Sequence, residues 1–207
     1  MSKLTINTTA NYSPNFDVKK RNFRQIKYII FHYTGMKNEN DAIKKLTNFK
    51  SKVSCHYFIK SNGKILTLVP DLYIAWHAGI SSWKNKKHLN KNSIGIEINN
   101  PGHNFNYKKF SKKQIISTLK LIKFLQKKYG IKSKNILGHS DIAPYRKKDP
   151  GEKFPWKLLA KNKIGLWHNL SNEILRKNRH VGINYKDKDL FFKNLYKIGY
   201  SKKVPKN

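Results

Sequence analysis

The sequence is organised around the stretch GHSDIAPYRKKDPGEKFPW, residues 138–156. It carries His139 and Asp149 on one short connection, with Arg146 and Lys147 just before the acid. A neutral imidazole and a carboxylate are two of the usual protein ligands of a catalytic zinc ion. The prolines and glycines of the stretch predict a rigid, shaped loop rather than a helix or strand. Such a loop can hold two metal ligands in fixed geometry.

A third ligand is predicted at the end of the apolar run IKYIIFHYTG, residues 26–35, which is typical of a buried strand. The run ends in His32, and polar residues at the ends of buried strands often form the sites of α/β folds. A lone histidine is more often a packed core side chain. Together with His139 and Asp149, however, His32 completes a set that leaves the fourth zinc position open for water, as in catalytic sites.

Five motifs occur in order between residues 31 and 156, namely FHYTG, SCHYFI, AWHAG, SIGIEINNPGH and the stretch above, within a match that covers roughly residues 12–168. Together they resemble the zinc-dependent N-acetylmuramoyl-L-alanine amidases, the amidase type 2 family related to peptidoglycan recognition proteins and the T7-type lysozyme. SPNFD (Ser13 to Asp17) and INNPGH are similar to the broad-specificity, cell-envelope branch of that family. The resemblance implies hydrolysis of the amide between the lactyl group of N-acetylmuramic acid and L-alanine, with one Zn²⁺ per chain.

Strand and helix signals interleave along the chain, which predicts an α/β fold with a mixed central sheet flanked by helices. We expect an extended segment at 1–25, an amidase domain at 26–168, and at 169–207 a short helical tail that resembles a truncated peptidoglycan-binding domain. Predicted strands are Ile26–Tyr33, Val53–Lys60, Lys64–Val69, Ser93–Ile98 and Lys134–Leu137, with a hairpin turn at residues 61–63. Predicted helices are Glu39–Phe49, one that Ser111 and Gln114 cap and Gly130 ends, and Asp189–Ile198.

Two residues are predicted to act on the substrate beside the metal. Glu97 lies in the middle of a strand, on the face opposite Ile94, Ile96 and Ile98, where a carboxylate is costly to bury. The alternative is an edge-strand side chain facing solvent, and the family motif favours a general base that moves the water's proton. Lys147 is expected to stabilise the oxyanion; in so lysine-rich a chain the alternative is a surface residue.

A substrate-binding set is also predicted, which comprises His77, Trp76, Asn99, Asn100 and Arg146; of these, His77 resembles a substrate-contacting position of the family. For Trp76 a core aromatic is an equal alternative, and for Arg146 a structural role or a carboxylate clamp is favoured. His56 and Cys55 are expected in the core. The remaining histidines are interpreted as surface residues: His88, His103, His168 and His180.

The 207 residues carry 44 Lys and Arg against 11 Asp and Glu, a formal net charge of +33. Such a charge attracts polyanions, so acidic cell-wall polymers are possible partners beside peptidoglycan and muropeptides. Because the lysines are spread along the whole chain, we do not expect specific nucleic-acid binding. The alternatives to an amidase are a non-catalytic peptidoglycan-recognition module and a polyanion or nucleic-acid binder.

The sequence does not decide the cellular compartment of the protein. The N-terminus, MSKLTINTTANYSPNFD, lacks the apolar region of a secretory signal. No stretch has the length of a membrane helix, and a single cysteine allows no internal disulfide. We expect a bacterial protein, either in the cell envelope or periplasm or in the cytoplasm, and a monomer.

Overall fold

The computed structural model describes residues 5–202, so residues 1–4 and 203–207 of the predicted terminal segments lie outside it. In chain order the strands are β1 (Thr9–Ala10), β2 (Phe16–Asp17), β3 (Tyr28–Tyr33), β4 (Tyr57–Ile59), β5 (Ile65–Thr67), β6 (Ile74–Ala75), β7 (Ser82–Trp83), β8 (Lys86–Lys87), β9 (Ser93–Ile98) and β10 (Ile136–Gly138). The α-helices are α1 (Glu39–Thr47), α2 (Lys112–Tyr129), α3 (His139–Ile142), α4 (Trp156–Lys161), α5 (Asn172–Asn178) and α6 (Tyr185–Ile198).

Six of these strands form the main sheet, in the spatial order β1-β5-β4-β9-β3-β10. The β4–β5 hairpin is antiparallel, and the other neighbours in this sheet are parallel. The predicted α/β fold with a mixed sheet is therefore confirmed. Since β9 lies between β4 and β3, it is an interior strand.

The two faces of the sheet differ in chemistry. The even-numbered isoleucines of β9, Ile94, Ile96 and Ile98, are buried in the apolar cluster that α2 covers. Because side chains alternate along a strand, Gly95 and Glu97 lie on the opposite face. The sequence predicted this alternation for Glu97, and the sheet places the residue away from the main apolar cluster.

Helix α2 forms as its sequence predicts. Ser111 caps the backbone N–H of Gln114, and the Gln114 side chain accepts from the backbone N–H of Ser111. Gly130 ends the helix in the left-handed region, at φ 65°. The buried side chains of α2 include Leu121, Ile122 and Leu125; burial of each contributes roughly 1.5–3 kcal/mol of stability.

Several predicted boundaries were wrong. α1 ends at Thr47, and Phe49 is 68% exposed. The strand predicted at residues 53–60 is limited to Tyr57–Ile59. The stretch 138–156 is not purely a loop, because His139–Ile142 forms one helical turn. The Asp141 carboxylate accepts the backbone N–H of Gly138 at 2.7 Å, which stabilises the start of that turn.

The C-terminal helices carry many exposed apolar side chains, including Leu190 and Phe191. Beyond α6, the ring of Tyr200 packs on Trp83 with centroids 5.0 Å apart, and its hydroxyl donates to Asp141 at 2.7 Å. The tail therefore contacts the sheet domain through Tyr200. None of the helices formed by residues 5–202 combines the length and apolar character that crossing a membrane requires.

Candidate metal centre and active site

Three potential metal ligands meet beside the ends of two neighbouring parallel strands. His32 lies in β3, His139 follows β10 directly, and Asp149 lies in the connection after α3. The backbone N–H of Ser140 donates to the carbonyl of Asp149 at 2.9 Å, which ties that connection to the helical turn. All three ligand side chains are buried.

The donor atoms form a small triangle. The Nδ1 atoms of His32 and His139 are 2.9 Å apart, and each lies 3.0 Å from Oδ2 of Asp149. Zinc–nitrogen bonds of ~2.0–2.1 Å in a tetrahedral site put ligand atoms about 3.3 Å apart. The triangle is a few tenths of an ångström tighter than that, so it has the size to hold a single small cation.

The protonation states suit a cation as well. Burial and the neighbouring His139 lower the pKa of His32 to about 4, so its ring is neutral at pH 7. Burial opposes ionisation of Asp149, but the neighbouring imidazoles of His139 and His32 outweigh it and hold the pKa of that carboxyl far below its ordinary value. The donor set of two imidazoles and one carboxylate fits zinc.

The outer nitrogens of both imidazoles have protein partners. Nε2 of His139 lies 3.0 Å from the carbonyl oxygen of Ala78, and Nε2 of His32 lies 3.0 Å from Nδ1 of His77. Partners of this kind orient metal-ligating histidines. The turn after β6 therefore contacts both rings from behind.

Glu97 faces the same cavity as the triangle. In the β3–β9 ladder it is the register partner of His32, and both side chains line a cavity of about 410 Å³. Its Oε2 is buried and has no hydrogen-bond partner. Burial, together with the charge of Asp149, raises the pKa of Glu97 to about 8. The alternative of an edge-strand side chain facing solvent is wrong, because β9 is an interior strand.

Three basic residues of the ligand connection also line this cavity, Arg146, Lys147 and Lys148. Lys147 is partly buried, and its backbone N–H donates to the carbonyl of Ala143 at 3.0 Å. The Arg146 guanidinium donates to the carbonyls of Ala78 and Ile80 at 2.5–3.0 Å. Arg146 thus braces the turn behind the ligands, while Lys147 brings a positive charge close to Glu97.

The other predicted substrate-binding residues lie in different surroundings. His77 lines the cavity, but both of its ring nitrogens lie within hydrogen-bond distance of protein groups, His32 and Ser93. The indole of Trp76 donates to Asp17 at 2.7 Å, outside the lining of this cavity. Asn99 and Asn100 do not line it either. Asn99 donates to Ser61, and Asn100 donates to the carbonyl of Lys108.

His103 was predicted at the surface and instead lies at the rim of the cavity, which corrects that interpretation. Its Nδ1 is 2.8 Å from the hydroxyl of Tyr33, and its Nε2 is 2.9 Å from Glu152. Its ring stacks on Tyr107, whose hydroxyl donates to the carbonyl of Pro150 at 2.6 Å. A rim cluster of His103, Tyr33, Tyr107 and Glu152 therefore supports the connection that carries Asp149. The motif INNPGH ends in His103, and this was the available signal.

His56 and Cys55 lie in the core, as predicted. Nδ1 of His56 accepts the backbone N–H of Gly95 at 3.0 Å, and its Nε2 lies 2.9 Å from the guanidinium of Arg21. Arg21, which the sequence did not single out, is buried and donates to several backbone carbonyls.

Comparison with known proteins adds independent evidence. The family described as N-acetylmuramoyl-L-alanine amidase (Amidase_2) matches residues 22–152. The chain is 40% identical to N-acetylmuramoyl-L-alanine amidase AmiD of Escherichia coli over 157 residues, 70% of this chain and 56% of that protein. It is 32% identical to 1,6-anhydro-N-acetylmuramyl-L-alanine amidase AmpD of Haemophilus influenzae over 70% of this chain and 85% of the relative. The alignment with AmiD thus spans little more than half of that protein.

A solved structure of E. coli AmiD superposes with a TM-score of 0.74 at 34% identity, covering 88% of this chain and 75% of the other. That structure is a complex with the substrate anhydro-N-acetylmuramic acid-L-Ala-D-γ-Glu-L-Lys. The shared fold extends over most of this chain.

Proposed function

The chain belongs to the N-acetylmuramoyl-L-alanine amidase family, Amidase_2, and from this premise we propose that it cleaves peptidoglycan stem peptides. The bond is the amide between the lactyl group of N-acetylmuramic acid and L-alanine. The observation that carries the proposal is the triangle of His32, His139 and Asp149, which opens onto the same cavity as Glu97 and Lys147. The proposed role is peptidoglycan turnover, cell-wall remodelling or recycling.

We assign one zinc ion per chain to His32, His139 and Asp149. When bound, the ion supplies Lewis acidity, which makes water a stronger nucleophile and polarises the scissile carbonyl. The chain supplies two imidazoles whose outer nitrogens are held by His77 and Ala78, and a carboxylate that stays ionised. These features keep the donor atoms directed at one point.

Glu97 is the proposed general base and acid. Its buried Oε2 has no protein partner, so it is free to accept the proton of the attacking water and then deliver it to the leaving amine of L-alanine. A raised pKa suits both halves of this transfer, because the group exchanges a proton near neutral pH. Lys147 is the proposed stabiliser of the oxyanion.

The proposed ligands are muropeptides and peptidoglycan, which the names of the relatives support. The anhydro-muramyl tripeptide in the AmiD complex is the model substrate for this chain. The net charge of +33 favours additional contact with acidic wall polymers. We retain residues 26–168 as the amidase domain, 169–207 as a small helical appendage, and a monomer as the working assembly.

The proposal is tested by incubating the purified chain with anhydro-muramyl tripeptide and, separately, with intact peptidoglycan. Each reaction is run as purified, with chelator, and with chelator followed by zinc. Appearance of peptides with a free L-alanine amine is measured. His139→Ala removes a ligand, and His168→Ala is the matched control, because His168 is exposed on the C-terminal side.

We expect cleavage that disappears with chelator, returns with zinc, is lost in His139→Ala and persists in His168→Ala. Preference for the soluble fragment over intact wall would favour recycling, and the reverse would favour remodelling in the envelope. Zinc binding without cleavage of either substrate would overturn the catalytic proposal in favour of a recognition module. Cleavage that survives complete metal removal would overturn the metal assignment.

A further inference from the structure

Behind His32, on the side away from the ligand triangle, three groups form a continuous hydrogen-bonded chain. Nε2 of His32 lies 3.0 Å from Nδ1 of His77, and Nε2 of His77 lies 3.2 Å from the hydroxyl of Ser93. That hydroxyl donates to the carbonyl oxygen of Leu89 at 2.6 Å. His77 is 6% exposed and Ser93 is fully buried, so these hydrogen bonds are shielded from solvent.

The hydrogen bond from Ser93 to Leu89 fixes the donor and acceptor roles of all the groups in this row. A backbone carbonyl can only accept, so the single proton of Ser93 points at Leu89. The Ser93 oxygen then accepts from His77, whose Nε2 carries the proton. Nδ1 of His77 is left as an acceptor for the Nε2–H of His32. The Nδ1 lone pair of His32 consequently faces the triangle.

Resting on the zinc site of the proposed function, we infer that His77 and Ser93 are positioning residues, which hold His32 in the tautomer that binds metal through Nδ1. They do not contact the substrate in this role. The predicted substrate contact of His77 is replaced by this assignment. The two residues form what we call the His77–Ser93 relay.

The backbone around His77 gives this relay a rigid base. The Asn90 side-chain oxygen accepts the backbone N–H groups of both His77 and Ala78, at 3.1 and 2.7 Å. Ala78 in turn offers its carbonyl to Nε2 of His139 at 3.0 Å. One turn, held by one asparagine, therefore orients both imidazole ligands.

The sheet also leaves room for the His77 ring. A Cβ atom on Gly95 would lie 2.3–2.6 Å from the ring atoms of His77. Since β9 is held by strands on both sides, the backbone of Gly95 cannot move away. The absence of a side chain at this position, next to Ser93 in the same strand, makes the relay sterically possible.

The test uses nuclear magnetic resonance of the metal-free protein to assign which ring nitrogen of His32 and His77 carries the proton. We expect Nε2–H on both rings in the unmodified chain. In Ser93→Ala the acceptor of His77 is lost, so we expect its proton to redistribute to Nδ1. Zinc affinity, measured by chelator competition, should then fall by about 10–100-fold, the usual effect of losing an outer partner of a metal ligand.

Ser117→Ala is the matched control. The Ser117 hydroxyl also donates to a backbone carbonyl, that of Gly63 at 2.6 Å, but the residue lies in α2, on the opposite face of the sheet from His77. We expect unchanged tautomers and zinc affinity in this variant. Circular dichroism and thermal unfolding verify that both variants are folded.

A proton on Nδ1 of His77 in the unmodified chain would overturn the inference, whether or not any variant folds. It would equally fail if folded Ser93→Ala bound zinc with unchanged affinity. Neither readout involves peptidoglycan. A chain that binds zinc through an intact relay but cleaves no substrate would contradict the proposed function alone.

Discussion

His32 and Glu97 are register partners on adjacent parallel strands, one in β3 and the other in β9. Paired residues on neighbouring strands point to the same face, so the ladder sets a proposed metal ligand beside a carboxylate without any loop between them. Both strands are interior to the sheet. The proposed base is therefore held by a strand that is paired on both sides, whereas Asp149 and Lys147 lie on the connection after α3.

Glu97→Gln should separate chemistry from metal binding. The amide keeps the size of the side chain but cannot accept and return a proton, so kcat should fall by about 10²–10⁴-fold. Zinc affinity should stay within about threefold, because Glu97 is not part of the ligand triangle. Steady-state hydrolysis of anhydro-muramyl tripeptide and chelator competition measure the two quantities.

Glu173→Gln is the control for this substitution, since Glu173 lies exposed in α5. It should leave both kcat and zinc affinity unchanged. Retention of more than a tenth of the activity in Glu97→Gln would remove Glu97 from the proposed acid–base role. Loss of zinc binding in that variant would indicate that the carboxylate supports the metal instead.

The raised pKa of Glu97 also predicts how the stability of the metal-free protein depends on pH. The pKa moves from an ordinary 4.5 to about 8 in the fold, so the native state keeps this proton up to a higher pH than the unfolded chain. The stability that Glu97 contributes is therefore present below about pH 4.5 and lost as pH rises through about 8.

The Glu97→Gln variant has no ionisable group at this position. Between pH 5 and pH 8.5 its free energy of unfolding should fall less than that of the unmodified chain, by on the order of 3 kcal/mol. Urea unfolding of both metal-free proteins at the two pH values measures the difference. Parallel pH profiles for the two proteins would show that Glu97 ionises normally in the fold.

Tyr107→Phe should weaken zinc binding although the residue contacts no ligand atom. The Tyr107 hydroxyl donates to the carbonyl of Pro150 at 2.6 Å and accepts the backbone N–H of Lys153 at 3.1 Å. Removing it leaves the connection that carries Asp149 less firmly held. We expect a loss of about 1–2 kcal/mol in the free energy of unfolding and a weaker zinc complex.

Tyr145→Phe is the matched control, because Tyr145 lies in the same connection but is 66% exposed. Tyr145→Phe should change neither the free energy of unfolding nor the zinc affinity. Thermal unfolding and chelator competition are measured side by side. Equal behaviour of the two variants would mean that the connection is held without the Tyr107 hydroxyl.

Local sequence signals were sufficient for much of this architecture. The apolar run before His32, the alternation around Glu97, and the cap formed by Ser111 and Gln114 each depend on neighbouring residues, so their elements were predicted within a few positions. The short turn at His139–Ile142 also had a local signal, an aspartate three residues after Gly138, but the prolines and glycines nearby masked it.

Features that depend on the order of strands in the sheet could not be predicted from local sequence signals. Whether Glu97 faced solvent depended on β9 being interior, which follows from its parallel pairing with β3 and β4. His103 and Glu152 are 49 positions apart in sequence, so nothing local indicated their contact. The same reason hid the contact between His77 and His32, which are 45 positions apart in sequence.

Arg21 illustrates a signal that composition did contain. In a chain whose positive charge is mainly lysine, an arginine suggests a need for its planar, many-donor guanidinium. The Arg21 side chain is 6% exposed and donates to the carbonyls of Asp71, Asn90 and Ser93 at 2.8–3.1 Å. Burial lowers its pKa to about 10, so the group remains charged at pH 7.

Arg21→Ala should therefore destabilise the protein by more than about 3 kcal/mol, because several buried carbonyls lose their donor at once. Arg21→Lys keeps the charge but not the planar guanidinium with its several donors, and should recover only part of this lost stability. Asn90 and Ser93 also support His77, so the zinc affinity of any Arg21 variant that folds should fall as well. Arg24→Ala, at an exposed position three residues later, should stay within about 0.5 kcal/mol of the unmodified chain. Urea unfolding compares the three variants, and similar losses for Arg21→Ala and Arg24→Ala would show that the buried contacts of Arg21 contribute little to the fold.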